Sequence, residues 1–587
     1  MKLSPLLAAV PLVGSLRGYN RESMLSDLIA GLVVTAMLIP QSLAYALLAG
    51  VPAEVGMYAS ILPLVAYAIF GTSRTLSVGP VAIASLMTAV ALGKVAETGS
   101  SDYVSAAVLL AFLSGGFLIA LGVLRLGFLA NFLSHTVVSG FITASGILIA
   151  LSQMKHIAGV KAQGDTFFEL LMSLLQHLPN VNYHALTVGV GVVCFLFWAR
   201  RGAAGLLAQL GMDVNTAQLV AKAAPVFGII VTIAGAVIFD LAGKGVALVG
   251  EVPAGLPSLQ LPVFSLAMVE LLIVPAMAIS IIGYVESISV GKTLGAKRGQ
   301  RVDGNQELVG LGAANLASSF SGGFPVTGGF SRSVVNFDAG ASTQLAGILA
   351  AVGIALASLF LTPVLFYLPQ ATLAATIIVA VTGLIDVSII TKTWKLSKSD
   401  FYAVALTILG TLVFGVEAGV AAGVLVSLCL YLYRTSKPHI AEVGLIEGTE
   451  HFRNILRHKV STRPEILSLR VDENLFFANA GYLEEYIYSA LENNPEVRHL
   501  VLMCSACNTI DYSALEVLEA INGHLRDLDI AFHLSEVKGP VMDHIKDTGF
   551  LEHLTGNVYL SQYQAYMDLS GSPQTNSSSS TLLTDGG

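Results

Sequence analysis

Apolar runs, each about as long as a bilayer's hydrocarbon core is thick, recur from residue 27 to residue 434 with short polar breaks between them. A helix needs roughly 20 residues to cross that core. The runs predict spans over 27–49, 53–70, 78–92, 103–123, 128–152, 184–199, 223–242, 266–290, 305–320, 327–338, 342–363, 370–387, 400–415 and 417–433. An even count returns both ends of the chain to one side. Threaded this way, seventeen Lys and Arg share that side, Arg21, Arg74, Arg125, Arg200, Lys292 and Lys437 among them. Only Lys94, Lys155, Lys161 and Lys244 fall opposite. The positive-inside rule then puts both termini in the cytoplasm.

Two predicted spans are short. Span three (78–92) follows Ser77-Val78-Gly79-Pro80, and span ten (327–338) lies within a stretch that opens Gly322-Gly323-Phe324-Pro325-Val326-Thr327-Gly328-Gly329. Each is the third member of a set of seven, and seven is odd, so the second set runs upside down relative to the first. Short, Gly/Pro-interrupted spans at matching places of inverted halves point to a binding site near the membrane midplane. Irregular backbone survives there only where protein or water covers it.

The pattern changes after Lys437-Pro438. Residues 440–570 alternate apolar runs (Ile466–Val471, Leu500–Met503, Ile530–Leu534) with helical stretches such as Tyr482–Glu492 and Ala514–Arg526, which predicts a small α/β domain. The expected organisation is a cytoplasmic lead-in over 1–26, a transport domain over 27–435 (inverted repeats 27–245 and 265–434), the α/β domain over 440–570, and a serine-rich flexible tail over 571–587.

Composition narrows the function classes. With 54% hydrophobic and 12% charged residues and a mean hydropathy of +0.73, the 587-residue chain has about half the charge of a soluble domain. A net charge of −8 leaves no basic surface for nucleic acid. Cys504-Ser505-Ala506-Cys507 is a lone CxxC and cannot complete a tetrahedral zinc site. No Walker sequence, nucleophile triad spacing or HExxH occurs, and GGFPVTGG lacks the Gly-Lys-Ser/Thr ending of a phosphate loop. The expectation is a carrier, with no enzymatic activity, no metal and no organic cofactor.

Candidate chemistry concentrates at the two broken spans. A helix that begins near Gly328–Phe330, in mid-membrane, offers unpaired N–H groups and a positive dipole end to an anion, with Gly79-Pro80 supplying the opposing end. Arg332 lies about a turn further in. A helix-centre arginine costs at least ~2.5 kcal/mol, which an anionic ligand would offset; the alternatives are snorkelling or a pair with Asp338. Gln41 and Tyr45 share a helix face beside Pro40, as a ligand patch or as helix-packing glue. Glu286 reads as the one carboxylate clearly inside a span, a proton-coupling candidate or else an acid near the cytoplasmic end of its helix.

Several of these segments resemble the SulP anion-transporter (sulfate permease) family, relatives of the solute carrier 26 proteins. The resemblance rests on Ala53–Ser60 with Gly71-Thr72-Ser73-Arg74, on Pro40–Ala46, on Glu286–Ser289 and on Phe330–Ser333. Val55-Gly56-Met57-Tyr58 stands where the family usually has Tyr-Gly-Leu-Tyr. Leu475–Ala480 and Ile510–Leu515 are similar to the STAS domain those proteins carry. The likeness spans about 20–570 and implies fourteen segments in two inverted halves, a core bundle moving against a gate bundle, and a homodimer. It implies an anion site at Tyr45, Ser331 and the backbone around Val81 and Phe330, next to Gly79, Pro80, Gly329 and Arg332. Gln41 stands where several bacterial members carry a glutamate, which shifts any proton role to Glu286. Val290 stands where sodium-coupled bicarbonate members carry a threonine, so sodium is the less favoured coupling ion.

In signalling STAS domains the place of Ser513 holds a phosphorylated serine; otherwise Asp511 and Ser513 cap the next helix. The expectation is therefore proton-coupled sulfate uptake by alternating access in a bacterial inner membrane. Its rivals are a bicarbonate or dicarboxylate carrier, an anion channel or exchanger, and a membrane-anchored STAS sensor with a cytoplasmic protein partner.

Overall fold

The computed structural model describes residues 10–16, 19–98, 100–128, 135–164 and 166–571. The expected lead-in is thus described in part only, and the expected tail lies outside the described residues beyond its first residue. Two compact units emerge, Met1–Ser427 and Leu428–Gly587.

The first unit is helical. Its first long helix, α1 (Arg21–Leu48), begins six residues before the predicted span because Asn20 caps it, accepting from the Ser23 N–H at 2.8 Å. Among the described residues, six helices are long and apolar enough to cross a membrane, and five further apolar helices have 10–17 residues. Small residues let neighbours approach closely. Between the Ser101–Val123 helix and the Gly304–Phe320 helix, a Cβ on Gly115 would come 2.9 Å from the Gly312 carbonyl oxygen. Large side chains such as Val231, Ile238, Val274 and Phe360 are instead exposed on the outside, the inverse of a soluble surface.

The two short spans are each a strand followed by a half-helix. Strand β1 (Val78–Gly79) leads into α2 (Ala82–Gly93), and β2 (Thr327–Gly328) leads into a nine-residue helix, Phe330–Asp338. β1 and β2 pair antiparallel, Val78 opposite Gly328 and Gly79 opposite Thr327. The sequence pattern predicted the breaks but not this ladder. Of three further helices, the first lines a neighbouring cavity and the other two pack against β2. They are α3 (Tyr183–Trp198), α4 (Leu266–Lys297) and α5 (Gly304–Phe320); after them come α6 (Phe330–Asp338) and α7 (Gln370–Thr382).

The second unit is a six-stranded sheet, in order β4-β3-β5-β6-β7-β8. Its strands are β3 (Ile440–Leu445), β4 (Phe452–Asn454), β5 (Ile466–Val471), β6 (His499–Met503), β7 (Ala531–Ser535) and β8 (Val558–Tyr559). β5 to β8 run parallel, which requires crossovers; α8 (Ala480–Glu492) and α9 (Tyr512–Asp527) supply two of them. Leu483, Ile487, Leu518 and Ile521 from these helices close over Leu469, Leu500, Leu502 and Phe532.

Candidate functional site

The segment Phe324–Gly329 is held almost atom by atom. Asn315, on α5, donates through Nδ2 to the Val326 carbonyl and accepts from the Val326 N–H, both at 2.9 Å. Ser318 Oγ donates to the Phe324 carbonyl at 2.6 Å. From α4, Ser287 Oγ accepts from the Gly328 N–H at 2.9 Å, and the Gly283 carbonyl accepts from Thr327 Oγ1 at 2.7 Å. Across the ladder the Gly329 N–H donates to the Ser77 carbonyl (3.1 Å) and the Ser77 N–H to Ser333 Oγ (3.0 Å). The polar backbone that Pro325 and the glycines free from helix is therefore satisfied by protein.

The half-helices themselves start without side-chain caps: Val81 precedes α2 and Gly329 precedes α6, and neither residue's side chain accepts from a first-turn N–H. Their first-turn N–H groups and positive dipole ends remain available. Beside them lies a cavity of about 40 Å³, lined by Gln41, Tyr45, Val81, Glu286, Gly329, Phe330, Ser331 and Arg332 among others. The expected site residues thus converge, except that Gly79 and Pro80 lie behind the lining. Pro80 meets Arg332 through its carbonyl, which accepts from Nη1 at 2.6 Å, while Gln41 Oε1 accepts from the same nitrogen at 3.4 Å.

Arg332 does not snorkel. It is 2% exposed, its Nη1 goes to Pro80 and Gln41 rather than to Asp338, and its Nε and Nη2 are buried with no hydrogen-bond partner. Two unused donors on a fixed cation, beside two uncapped helix starts, form a cradle for an acceptor-rich anion. Space for the guanidinium depends on glycine: a Cβ on Gly329 would come 3.0 Å from its Cζ, and one on Gly79 3.5 Å from Nη2. Glu286 faces the same cavity, interacts electrostatically with Arg332, and has one buried oxygen, Oε2, without a partner.

Glu286 itself is half-buried, and two other acids of this unit lie deeper. Glu307 and Asp27 are both fully buried. Glu307 accepts from the Thr72 N–H (2.7 Å), Thr72 Oγ1 (2.6 Å), the Ser73 N–H (3.0 Å) and Tyr67 OH (2.7 Å). Asp27 accepts from the Ser342 and Thr343 N–H groups (2.6 and 3.0 Å) and from Thr343 Oγ1 (2.6 Å). Both lie near predicted helix ends, where an acid reads as solvated. Only a long-range fold brings them backbone donors. Their oxygens are saturated and they clamp loops, while Glu286 keeps an oxygen free.

Sequence reasoning also missed Ala82, Ile83, Ala380, Val381 and Leu384 in the lining, small or aliphatic residues with no chemical signal. In the second unit, Asp511 caps α9 by accepting from the Ala514 N–H at 2.8 Å and binds the Phe477 N–H at 2.9 Å, while Ser513 is exposed. Cys504 and Cys507 are buried and unpaired, and burial pushes both thiols up, away from the reactive thiolate.

Comparison with known families is decisive for the chain's kinship. Residues 24–407 match the sulfate permease family and residues 458–565 match the STAS domain. This chain belongs to the sulfate permease family. It is an integral membrane protein of a family of transporters, not enzymes. A similar relative is the chloroplastic sulfate transporter 4.1 of Arabidopsis thaliana, 35% identical over 539 residues, which cover 90% of this chain and 77% of that one. Among solved structures, murine solute carrier 26 family member A9, an anion transporter in the inward-facing state, has the same fold. It aligns with a TM-score of 0.86 at 22% identity, over 97% of this chain and 95% of that one. The transmembrane domain of a cyanobacterial bicarbonate transporter aligns at TM-score 0.57 and 22% identity, over 70% of this chain and 98% of that one.

Proposed function

We propose that this sulfate permease family member carries a small inorganic oxyanion, sulfate first, by alternating access with proton symport. The observation that carries the reading is Arg332: a buried cation whose Nε and Nη2 lack partners, beside two uncapped half-helix starts. A dianion would supply acceptors for all of them. The small cavity of about 40 Å³ beside those donors supports an inorganic anion as the cargo. Sulfate is favoured over bicarbonate because sulfate transporter 4.1 is similar over nearly the whole chain.

Coupling has an energetic motive. Bringing a dianion uncompensated into a cell at −100 mV costs roughly 4.6 kcal/mol, at ~2.3 kcal/mol per charge. A proton on Glu286 would offset part of that charge, and its free oxygen at the cavity supports that role. Sodium has no such support, since Val290 offers no ligand oxygen. The excess of Lys and Arg on one side supports cytoplasmic termini in a plasma membrane, and we read the chain as a homodimer by its family resemblance.

The test is radiolabelled sulfate uptake into proteoliposomes with and without an inward proton gradient, competed with bicarbonate, fumarate, molybdate and selenate. Saturable, proton-stimulated uptake inhibited by molybdate and selenate but not by fumarate is the expected result. Fumarate or bicarbonate displacing sulfate at lower concentration would reassign the cargo, and flux without saturation would make the chain a channel.

A further inference from the structure

The small cavity opens beside a second one of about 420 Å³, and the two share Gln41, Phe330, Ser331, Ala380 and Leu384. The walls of this vestibule are mostly aliphatic, with Met37, Leu196, Pro225 and Val334 typical. Among its described lining residues one side chain is charged, Arg200, and no carboxylate opposes it.

Arg200 is specially seated. Helix α3 runs into a π-helical turn, Ala199–Ala203, that carries it, and such turns re-aim side chains where an α-helix would continue. Its Nη1 donates to the Val379 carbonyl on α7 at 3.3 Å. Gly383, just past the end of α7, leaves room for the other arm: a Cβ there would come 2.9 Å from Nη2. One corner of the guanidinium is thus tethered to the helix that also lines the small cavity. Low-dielectric walls focus the field of a lone cation along such a channel.

We infer that Arg200 forms a staging site for inorganic anions in the vestibule, ahead of the cradle at Arg332. This rests on the proposed anion transport and adds a second station to it. An anion entering the vestibule exchanges water for the free face of the Arg200 guanidinium, then passes along the shared lining at Gln41 and Ser331 to the buried donors of Arg332.

The test measures local potential and transport separately. With the exposed Cys194 and Cys429 replaced by serine, Gln218→Cys places a thiol in the vestibule. Its modification rates by an anionic sulfonate and by a cationic trimethylammonium methanethiosulfonate are compared in the full-length protein. Arg200→Gln is expected to lower the anionic-to-cationic rate ratio roughly three- to tenfold, and Arg200→Lys to restore most of it. A distorted vestibule would shift both rates together and leave the ratio alone. In proteoliposomes Arg200→Gln should raise the anion KM roughly three- to tenfold, with the loss carried by KM rather than kcat. An unchanged rate ratio overturns the staging site. Absent sulfate uptake in the parent protein overturns the proposed cargo instead, and the thiol measurement still decides for or against Arg200.

Discussion

Three acids in the transport unit show how hydrogen bonding separates chemistry from scaffolding. Glu307 receives four donors, Asp27 three, and Glu286 keeps Oε2 free. Glu307→Gln turns one acceptor into a donor among donors and is expected to cost on the order of 3 kcal/mol of stability, seen as a lowered unfolding temperature in detergent. Glu286→Gln should leave that temperature nearly unchanged while abolishing stimulation of uptake by a proton gradient. Stimulation that persists in Glu286→Gln removes the coupling role. The glycines around Arg332 rank themselves likewise. Gly329→Ala, 3.0 Å from the guanidinium carbon, should weaken anion binding at least tenfold, and Gly79→Ala, at 3.5 Å, markedly less; isothermal titration or uptake KM reads the order. The sequence made Arg332 and Glu286 visible because ionisable residues inside apolar runs are rare and expensive. It hid Glu307 and Asp27, whose meaning lies in partners more than 200 positions away.

At the scale of elements, the half-helices were legible in outline and their support was not. Gly and Pro marked the breaks, and the helix starts fell at Ala82 and Phe330, within a few residues of expectation. The β1–β2 ladder spans only two residue pairs, too short for any alternation of polar and apolar positions to reveal it. Asn315 is equally silent: nothing in the local pattern of its helix singles it out, yet it serves both the N–H and the carbonyl of Val326. Asn315→Leu leaves those two buried groups unpaired. The expected outcome is an unfolding temperature several degrees lower and a weaker anion affinity, because the strand that leads into α6 loses its anchor. An unchanged affinity would show that Ser287 and Ser318 suffice.

Over the whole molecule, the division into an apolar transport unit and a charged α/β unit followed directly from composition, since a bilayer and water select opposite surfaces. The interior of the second unit was harder to read, and it holds a histidine pair on adjacent strands. His533 Nδ1 accepts from the Asn557 N–H at 2.9 Å, so its Nε2 carries the hydrogen that faces His499 Nδ1 at 3.2 Å. Burial, with His499 beside it, pushes His533 down to about 4. The folded value lies below that of an unfolded histidine, about 6.5. The neutral ring therefore stabilises the fold at neutral pH, and that contribution is lost as the pH falls from about 6.5 to about 4. Hydrogen exchange on the full-length protein, corrected for intrinsic rates, should show β6 and β7 losing protection across this interval. A His533→Gln variant should flatten the response.

The two-pair ladder between Val78–Gly79 and Thr327–Gly328 has a mechanical consequence. Because it stitches the approaches to both half-helices together, and Ser77, Ser333 and Gly329 cross-brace it, neither tip can swing away while the other stays. The proposed berth is a single rigid piece. On the proposed carrier reading, the stroke that delivers an ion from one face of the bilayer to the other shifts that piece whole, passenger aboard, and leaves the bending to the frame around it.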